Sequence, residues 1–540
     1  MQDVVSSLPT SNTQRLTDSF ARLHRRAPAI IDFGIATLSA VLLILSFPDF
    51  NFWPLAWCAL VPLLVLLATN RGGWRPFFLG WICGTVFFYG SCYWVTYSMI
   101  HTGGISPLIA YTLLIPGAVL LGIFSGLFGL ILARALRRWG TLAVWLAPVF
   151  WSALEWLRLE VTGQLWNAIG YSQAFRPALL PSASFGGVYA VGFLIVLVNA
   201  AIAYALMART RRSLTLVFTG IMLAGLATIG IVVMQGYLAA KSVFRPESLT
   251  IVAIQPNVPM DLVKSKDDMK LLATRHYEMS EAALTQISDD TKPKLIIWPE
   301  SPMNFGYGGD AQLRSTLASF AQQHQVSILL NSQETAPNDG IYNSAVLINE
   351  QGKLVAQYDK IRLLPFGEYV PLPDWVPGAG LIRAIVGDFT AGTNYRLMPV
   401  GNLQAGVFIC IESAYPSIAR RFTNEGADVL INISNDGYLG PTAVMRQHLA
   451  NAVFRAVENG RPVLSVTNTG ITAFVEPNGE TRDTTSGFTP EIRIWRVSPP
   501  ASGRTFYTKH GDLFVISCAV LGLLILVFIF VGTAGKARQL

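Results

Sequence analysis

Of the 540 residues, 52% are hydrophobic and only 14% are charged, against roughly 25% charged in a typical soluble domain; an ordinary soluble protein is excluded. The net charge of +7 is uneven: residues 245–508 are slightly acidic, and the basic excess belongs to the segments flanking apolar stretches. With no Lys/Arg run and no aromatic–basic patch, nucleic-acid binding is excluded as well.

A basic tail, residues 1–27, opens the chain. A bilayer span needs about 20 mostly apolar residues. Seven candidate spans precede the polar region, at 28–48, 53–69, 76–98, 105–133, 142–157, 185–206 and 214–236; an eighth, 513–533, follows it. The first is too long for a signal-peptide core and lacks a small-residue cleavage site after it. Lys and Arg concentrate in the N-terminal tail (Arg15, Arg22, Arg25, Arg26), in alternate connections and at Lys536 and Arg538, whereas the opposite set carries only Arg158 and Arg176. The positive-inside rule then puts both termini in the cytoplasm and residues 245–508 outside, in the periplasm of a bacterium.

In the long connection 158–184, Trp166 and Tyr171 suit a headgroup-level aromatic belt; the alternative is that the loop helps line a lipid entrance. Glu155 and Arg158, three apart, suit a structural pair on one helix face.

The region 245–508 alternates β-branched runs with helical patterns. Strands are expected at 249–255, 294–298, 326–331, 344–349, 404–410, 428–434 and 462–468, and helices at about 267–285, 311–324, 414–425 and 442–458. Near-continuous apolar strands imply a sheet covered on both faces, hence an α/β domain. Several strands end in polar or turn-forming groups: Gln255, Glu300 after Trp298-Pro299, Cys410 with Glu412, and Asn435-Asp436-Gly437. Ligands bind at such strand ends in α/β sheets.

Cys58, Cys83, Cys92 and Cys518 lie in apolar runs; Cys410 alone lies in the polar region, without an intradomain disulfide partner or a CxxC metal motif. It is either a packed thiol or a nucleophile. A nucleophilic thiol needs a base, because a free one is only a few per cent thiolate at pH 7. His276 and His324 suit the surface of polar helices, while His448 could approach the site from the helix after the 436–445 loop. Glu300, fixed between Pro299 and Ser301-Pro302, is the better base. Lys360, in an ordered loop with two prolines and a glycine, suits a developing oxyanion or a partner for Glu300; the plainer role is a pair with Asp359.

The strings WPES with Glu300, YDKIRLLPFGEYVP with Lys360 and Glu368, and FICIES with Cys410 resemble the Glu-Lys-Cys triad of the nitrilase superfamily. Together with ALEWLR…GYSQ at 153–173 and a polar domain between the last two spans, the chain is similar over nearly its whole length to the apolipoprotein N-acyltransferases, the membrane-bound branch of that superfamily. The resemblance implies a bundle of about eight spans carrying a periplasmic nitrilase-like αββα sandwich in a bacterial inner membrane. It implies a ping-pong transfer of a fatty acyl chain from a phospholipid, typically phosphatidylethanolamine, to the N-terminal amine of a diacylglyceryl-cysteine in an apolipoprotein, with no metal or cofactor. Glu300 would be the base, Cys410 the thioester-forming nucleophile, and Lys360, with a backbone N–H near Cys410, the oxyanion support. Glu368 would hold Lys360 or steer the proton, and Asn343 and Glu412 would assist. Apolar loops at 303–309, 372–389 and 437–445 are expected to act as lids against membrane lipid. The tryptophan common in the family after the first strand is missing from 256–270. Two rivals use the same features: a membrane-tethered nitrilase-type amidase, for which seven spans exceed what a tether needs, and a transporter with an external domain, which the few ionisable groups in the spans disfavour.

Overall fold

The computed structural model describes residues 29–208 (save 71 and 164), 248–370 (save 261–264 and 289–290), 389–537 (save 501–502) and isolated positions between these stretches. The expected span at 214–236 lies outside the described residues.

The N-terminal part is helical: α1 (Ala29–Ser46), α2 (Val61–Thr69), α3 (Arg75–Ser91), α4 (Val95–His101), α5 (Pro107–Trp139), α6 (Ala147–Thr162) and α7 (Ala183–Ala208). By length and apolarity, α7 and the run Pro107–Thr162 can cross a membrane, and α3 with α4, bent by 50°, make a third if they form one span. The helices Ile30–Ser46, Trp53–Thr69 and Leu513–Ile529 are apolar but shorter. Among the described residues two or three helices are long and apolar enough to span, fewer than the eight stretches expected, of which 214–236 is not described and 105–133 and 142–157 fall in the one run Pro107–Thr162. Breaks account for part of the difference: the stretch 53–69 begins with a 3-10 turn at Trp53–Trp57, and 76–98 bends at Cys92. Helices α3 and α5 cross closely, since a Cβ added to Gly80 would run into the Ser125 backbone carbonyl.

The connection after α6 corrects the aromatic-belt expectation. Trp166 and Tyr171 are buried, because this segment folds back under the α/β domain. Glu155 Oε1 accepts from Ile169 N at 2.8 Å, and Arg158 NH1 donates to Trp166 O at 3.1 Å. Both charged residues thus brace the segment.

The α/β domain has two six-stranded sheets. The first contains β1 (Leu249–Gln255), β2 (Lys294–Ile297), β3 (Ser327–Thr335), β4 (Ile341–Ile348) and β5 (Leu354–Asp359); the second contains β6 (Met398–Val400), β7 (Leu403–Ile409), β8 (Val429–Ser434), β9 (Val463–Thr467), β10 (Ala473–Val475) and β11 (Thr481–Arg482). The last strand, β12 (Glu491–Val497), returns to the first sheet and pairs antiparallel with β1. β1–β2–β3 and β7–β8–β9 are parallel cores, edged by antiparallel strands. Strand alternation sorts the first sheet into two faces. Leu249, Ile251, Leu295, Ile297, Leu329 and Leu347 share a core with Val407 and Ile409 of the second sheet. Their neighbours Val252, Ile254, Ile296, Ile328 and Val346 pack under helices α8 (Lys266–Leu284) and α9 (Ala311–His324). Helices α10 (Pro416–Glu425) and α11 (Val444–Asn459) cover the second sheet, completing the expected αββα sandwich. α12 (Phe506–His510) and α13 (Leu513–Ala537) end the described chain.

His276, expected at the surface, is buried in α8 against Trp298 and Phe305, at ring distances of 5.1 and 5.6 Å. The polar pattern of α8 hides that its one imidazole faces the sheet; burial pushes its pKa down to about 4, so it is neutral at pH 7.

α11 is buried along its whole length from Gln447 to Asn459, with the second sheet on one side and the apolar helices on the other. Gln447 Oε1 accepts from Trp94 Nε1 at 3.0 Å and Trp166 Nε1 at 2.7 Å, and its Nε2 donates to Pro48 O at 3.2 Å and Ser91 O at 3.0 Å. Further along, Arg455 donates to Glu458 Oε1 at 2.8 Å, and both side chains are fully buried. Glu458 also accepts from Val188 N at 3.0 Å. That N–H is free because α7 breaks at Gly186–Gly187, where Gly187 takes φ +65°, and a restarted helix leaves its first N–H groups unpaired.

Removing one member of a buried pair strands a charge, at about 3–5 kcal/mol. Arg455→Met should therefore lower stability in detergent-solubilised unfolding by about that much, and the Arg455→Met/Glu458→Met double variant should recover most of the loss. Equal stability of the single variant and wild type would remove the pair from the docking interface.

Candidate active site

Three strand ends converge. Glu300 follows β2 after Trp298, whose ring is buried and whose Nε1 donates to Ser280 Oγ at 3.0 Å, fixing where Pro299 turns the chain. Lys360 is the first residue after β5, its N–H bonded to Asn343 O at 2.8 Å and its carbonyl to Gly392 N at 2.8 Å. Cys410 is the first residue after β7 and takes φ +53°, a left-handed conformation that L-residues adopt at a cost of about 1–3 kcal/mol. The Cys410 thiol lies beside Glu300, whose carboxyl it helps to hold down.

Glu300, Lys360 and Cys410 are thus brought together as expected, and the three assisting residues lie around them. Lys360 Nζ is 2.8 Å from Glu368 Oε1 and 3.7 Å from Glu300 Oε1, with the lysine only 1% exposed. Asn343 Nδ2 donates to Glu300 Oε1 at 2.8 Å and to Glu368 Oε1 at 2.7 Å, while Asn331 Nδ2 donates to Asn343 Oδ1 at 2.7 Å. Glu368 Oε2 accepts from Leu364 N at 2.7 Å, which closes its own loop. The plainer role for Lys360 fails: its partner is Glu368, and Asp359 instead accepts from Ser344 Oγ and Gln357 Nε2.

Glu412 does a different job. Its Oε1 accepts from Tyr358 OH, Ile361 N and Arg362 N at 2.8, 2.8 and 3.0 Å, and its Oε2 accepts from Ile409 N at 2.8 Å. It therefore ties the Cys410 turn to the Lys360 loop through scaffold groups. His448 does approach, but through the backbone: its Nε2 lies 2.9 Å from Cys410 O and its Nδ1 2.8 Å from Asp436 Oδ1.

Electrostatics set the resting protonation. Burial pushes the Glu300 carboxyl up, Glu368 adds to the rise, and Lys360, Asn343 and the Cys410 thiol hold it down. Burial also pushes the Cys410 thiol well above its ordinary value, with Glu300 raising it further and Lys360 opposing. Burial alone would neutralise Lys360, but Glu368 and Glu300 outweigh it and hold the ammonium charged. Burial and the neighbouring charges thus leave both the thiol and the carboxyl above their ordinary values. Tyr438, on the turn after Asp436, has its phenol pushed up by burial and then by Glu300, Glu368 and Cys410. The sequence drew attention to Asn435-Asp436-Gly437 without giving Asp436 a partner, placed Tyr438 only in an expected lid, and gave Asn331 no role.

Of the expected lids, 303–309 is packed down: Met303 and Tyr307 are buried, and Tyr307 N donates to Ser332 Oγ at 2.8 Å. Its apolar side chains serve the core under α8. The turn at 437–445 stands between the site and α4, with Gly440 against the Tyr97 ring; 372–389 falls almost wholly outside the described residues.

The model of the apolipoprotein N-acyltransferase N-terminal domain matches residues 39–201, and the carbon-nitrogen hydrolase model matches 251–504. An apolipoprotein N-acyltransferase of Geobacter metallireducens is 28% identical, covering 90% of this chain and 93% of its own length. That of Allorhizobium ampelinum is 31% identical over 76% of this chain and 77% of its own. The chain belongs to the apolipoprotein N-acyltransferase family. The two model matches divide this family member where the fold divides, one on the apolar helices and one on the two sheets. Among solved structures, Saccharomyces cerevisiae Nit3, a member of branch 10 of the nitrilase superfamily, aligns over 48% of this chain and 93% of its own at 18% identity, with a TM-score of 0.37; at that score it adds nothing to the fold.

Lys360 opposes the rise in the thiol pKa, so Lys360→Met should slow alkylation of Cys410 by iodoacetamide, followed by peptide mass mapping. Each further unit of pKa removes about nine-tenths of the thiolate. Alkylation at the wild-type rate would show that the ammonium does not act on the sulfur.

Proposed function

We propose that this member of the family transfers a fatty acyl chain from a phospholipid, phosphatidylethanolamine in the first instance, to the N-terminal amine of diacylglyceryl-cysteine in apolipoproteins, completing bacterial lipoprotein maturation. The observation that carries the reading is the Cys410 thiol gathered with Glu300 and the buried Lys360, on a domain docked against apolar helices. The amidase alternative would use the same three residues with water as second nucleophile, but it leaves that docking without a purpose.

In the first half-reaction, Cys410 Sγ attacks the ester carbonyl while Glu300 takes the thiol proton. Lys360 faces the developing oxyanion, where a buried charge acts strongly. The C–O bond to glycerol breaks, Glu300 returns its proton to the leaving oxygen, and lysophospholipid departs from the thioester. In the second, the amine attacks the thioester, Glu300 takes an amine proton, the C–S bond breaks, and the thiolate regains the proton from Glu300. Asn343 and Glu368 hold Glu300 and Lys360 in place, and Glu412 holds the loops that carry them.

The membrane reading rests on sequence: eight apolar stretches, Lys and Arg gathered on one side, and segments 1–27, 28–236, 245–508 and 513–533 as tail, seven-span bundle, periplasmic catalytic domain and final span. Both termini then lie on the cytoplasmic side of the inner membrane.

Incubation with labelled phospholipid alone should leave one acyl group on Cys410, removable by hydroxylamine, and intact mass measures it. Cys410→Ala should take up none and Glu300→Gln should charge at a small fraction of the wild-type rate; a charged alanine variant, or a glutamine variant at full rate, sinks the mechanism.

A base works above its pKa, and Glu300 is held above the ordinary carboxylate value of about 4.3. Thioester formation should therefore fall with acid along a limb above that value. Asn343→Leu removes one group holding the carboxyl down and should move the limb to higher pH; an unmoved limb would release Asn343 from this role.

A further inference from the structure

The mechanism leaves one buried imidazole at the nucleophile unused. His448 lies between Asp436 Oδ1, 2.8 Å from Nδ1, and Cys410 O, 2.9 Å from Nε2. A carboxylate and a carbonyl both offer only lone pairs, and a neutral imidazole has a single N–H. Both short contacts are hydrogen bonds only if the ring is doubly protonated. Burial opposes that charge, but Asp436, Cys410 O and Glu300 outweigh it and push the ring's pKa up. Two further side chains touch the ring. Ser434 Oγ is 3.4 Å from Nδ1, and Asn432 Nδ2 is 3.3 Å from Nε2 while Asn432 Oδ1 has no partner. Turning the Asn432 amide over would bring an acceptor to the second N–H.

The carbonyl so held belongs to the residue whose left-handed turn presents the thiol. Two residues of α11, seven apart and therefore on one face, grip this turn: His448 at Cys410 O, and Arg455 NH1 at Ser413 O, 3.1 Å away. The residue beside His448 is Gln447, which holds Trp94, Trp166, Ser91 and Pro48 of the helical part. The Trp166 ring also lies 5.9 Å from the His448 ring.

We propose that His448 is a positioning residue for acyl transfer, an imidazolium that locks the Cys410 carbonyl against Asp436, and that Gln447 ties this lock to the docked apolar helices. The inference rests on the acyl-transfer reading above. Its effect is on the rate of sulfur attack, since misplacing a nucleophile by about 1 Å costs about 100-fold. Above its raised pKa the ring loses one proton and one of its two bonds, and the lock loosens as pH rises.

The test is single-turnover charging of Cys410 by labelled phospholipid in the purified full chain, as a function of pH and lipid concentration. His448→Ala should lower the rate by about 100-fold with the half-saturating lipid concentration unchanged. His448→Gln, which keeps an N–H for Cys410 O but cannot titrate, should recover part of that loss and lack the alkaline fall that the imidazolium gives wild type. Gln447→Leu should lower the same rate, and the Gln447→Leu/His448→Gln double variant should lose less than the product of the single losses. Wild-type charging by folded His448→Ala overturns the proposal; if that variant does not fold, a His448→Gln variant with the wild-type alkaline limb overturns it instead. Losses that multiply independently remove the link to Gln447. If wild type itself forms no thioester at Cys410, the acyl-transfer reading falls, and that outcome is distinct from all of these.

Discussion

A helix buried on both sides must find partners within the protein for most of the polar groups it carries, and α11 is such a helix from Gln447 to Asn459. It holds Gln447, His448, Arg455 and Glu458, all buried. An α/β sandwich ordinarily turns the outer face of its helices to solvent. Here that face meets the apolar helices, and the polar groups on it become the joint. The Gln447 amide uses both its oxygen and its nitrogen on backbone and indole groups of the helical part. Glu458 reaches the broken turn of α7. Apolar packing alone would hold these layers together but would not set their register. Directional bonds from buried groups do, because a small slide would leave several of them unpaired at about 1–3 kcal/mol each.

The site obeys the same constraint with charges. Two carboxylates and one ammonium share a pocket that leaves Lys360 only 1% exposed, and isolated burial of any one would be prohibitive. Grouped, they support one another: Lys360 stays charged because Glu368 and Glu300 outweigh burial, and Asn343 gives both carboxylates an N–H. Burial, with Glu300 adding to it, raises the Cys410 thiol well above its ordinary value against the pull of Lys360.

Much of this was legible in the sequence because it is local. Each of the seven expected strands of the polar region is present, and Glu300, Lys360 and Cys410 were marked by motifs at strand ends, where sequence position and site position coincide. What the sequence hid depends on which side of an element meets what. The short strands β6, β10 and β11 carry too few residues for an alternation to register. His276 lies in a polar-looking helix, yet its ring points at Trp298. Trp166 and Tyr171 look like interface aromatics until the connection folds under α11. The ends of the spans were hidden for a related reason: apolar composition counts residues without registering the 3-10 turn at Trp53–Trp57 or the bend after Ser91.

These two sets of buried polar groups meet at one place, which bears on why the helical part and the catalytic domain share a chain. Cys410 must stay in a left-handed turn while lipid-sized substrates approach and leave beside it, and such a turn relaxes unless its surroundings over-determine it. Glu412 grips it from the first sheet's loops, and α11 grips it from the other side through the carbonyls of Cys410 and Ser413. The helix that provides the second grip is itself held by groups on the apolar helices. A substrate embedded in lipid would therefore meet the nucleophile on a scaffold whose reference frame is the membrane part: the geometry of attack is set relative to the layer from which the substrate comes.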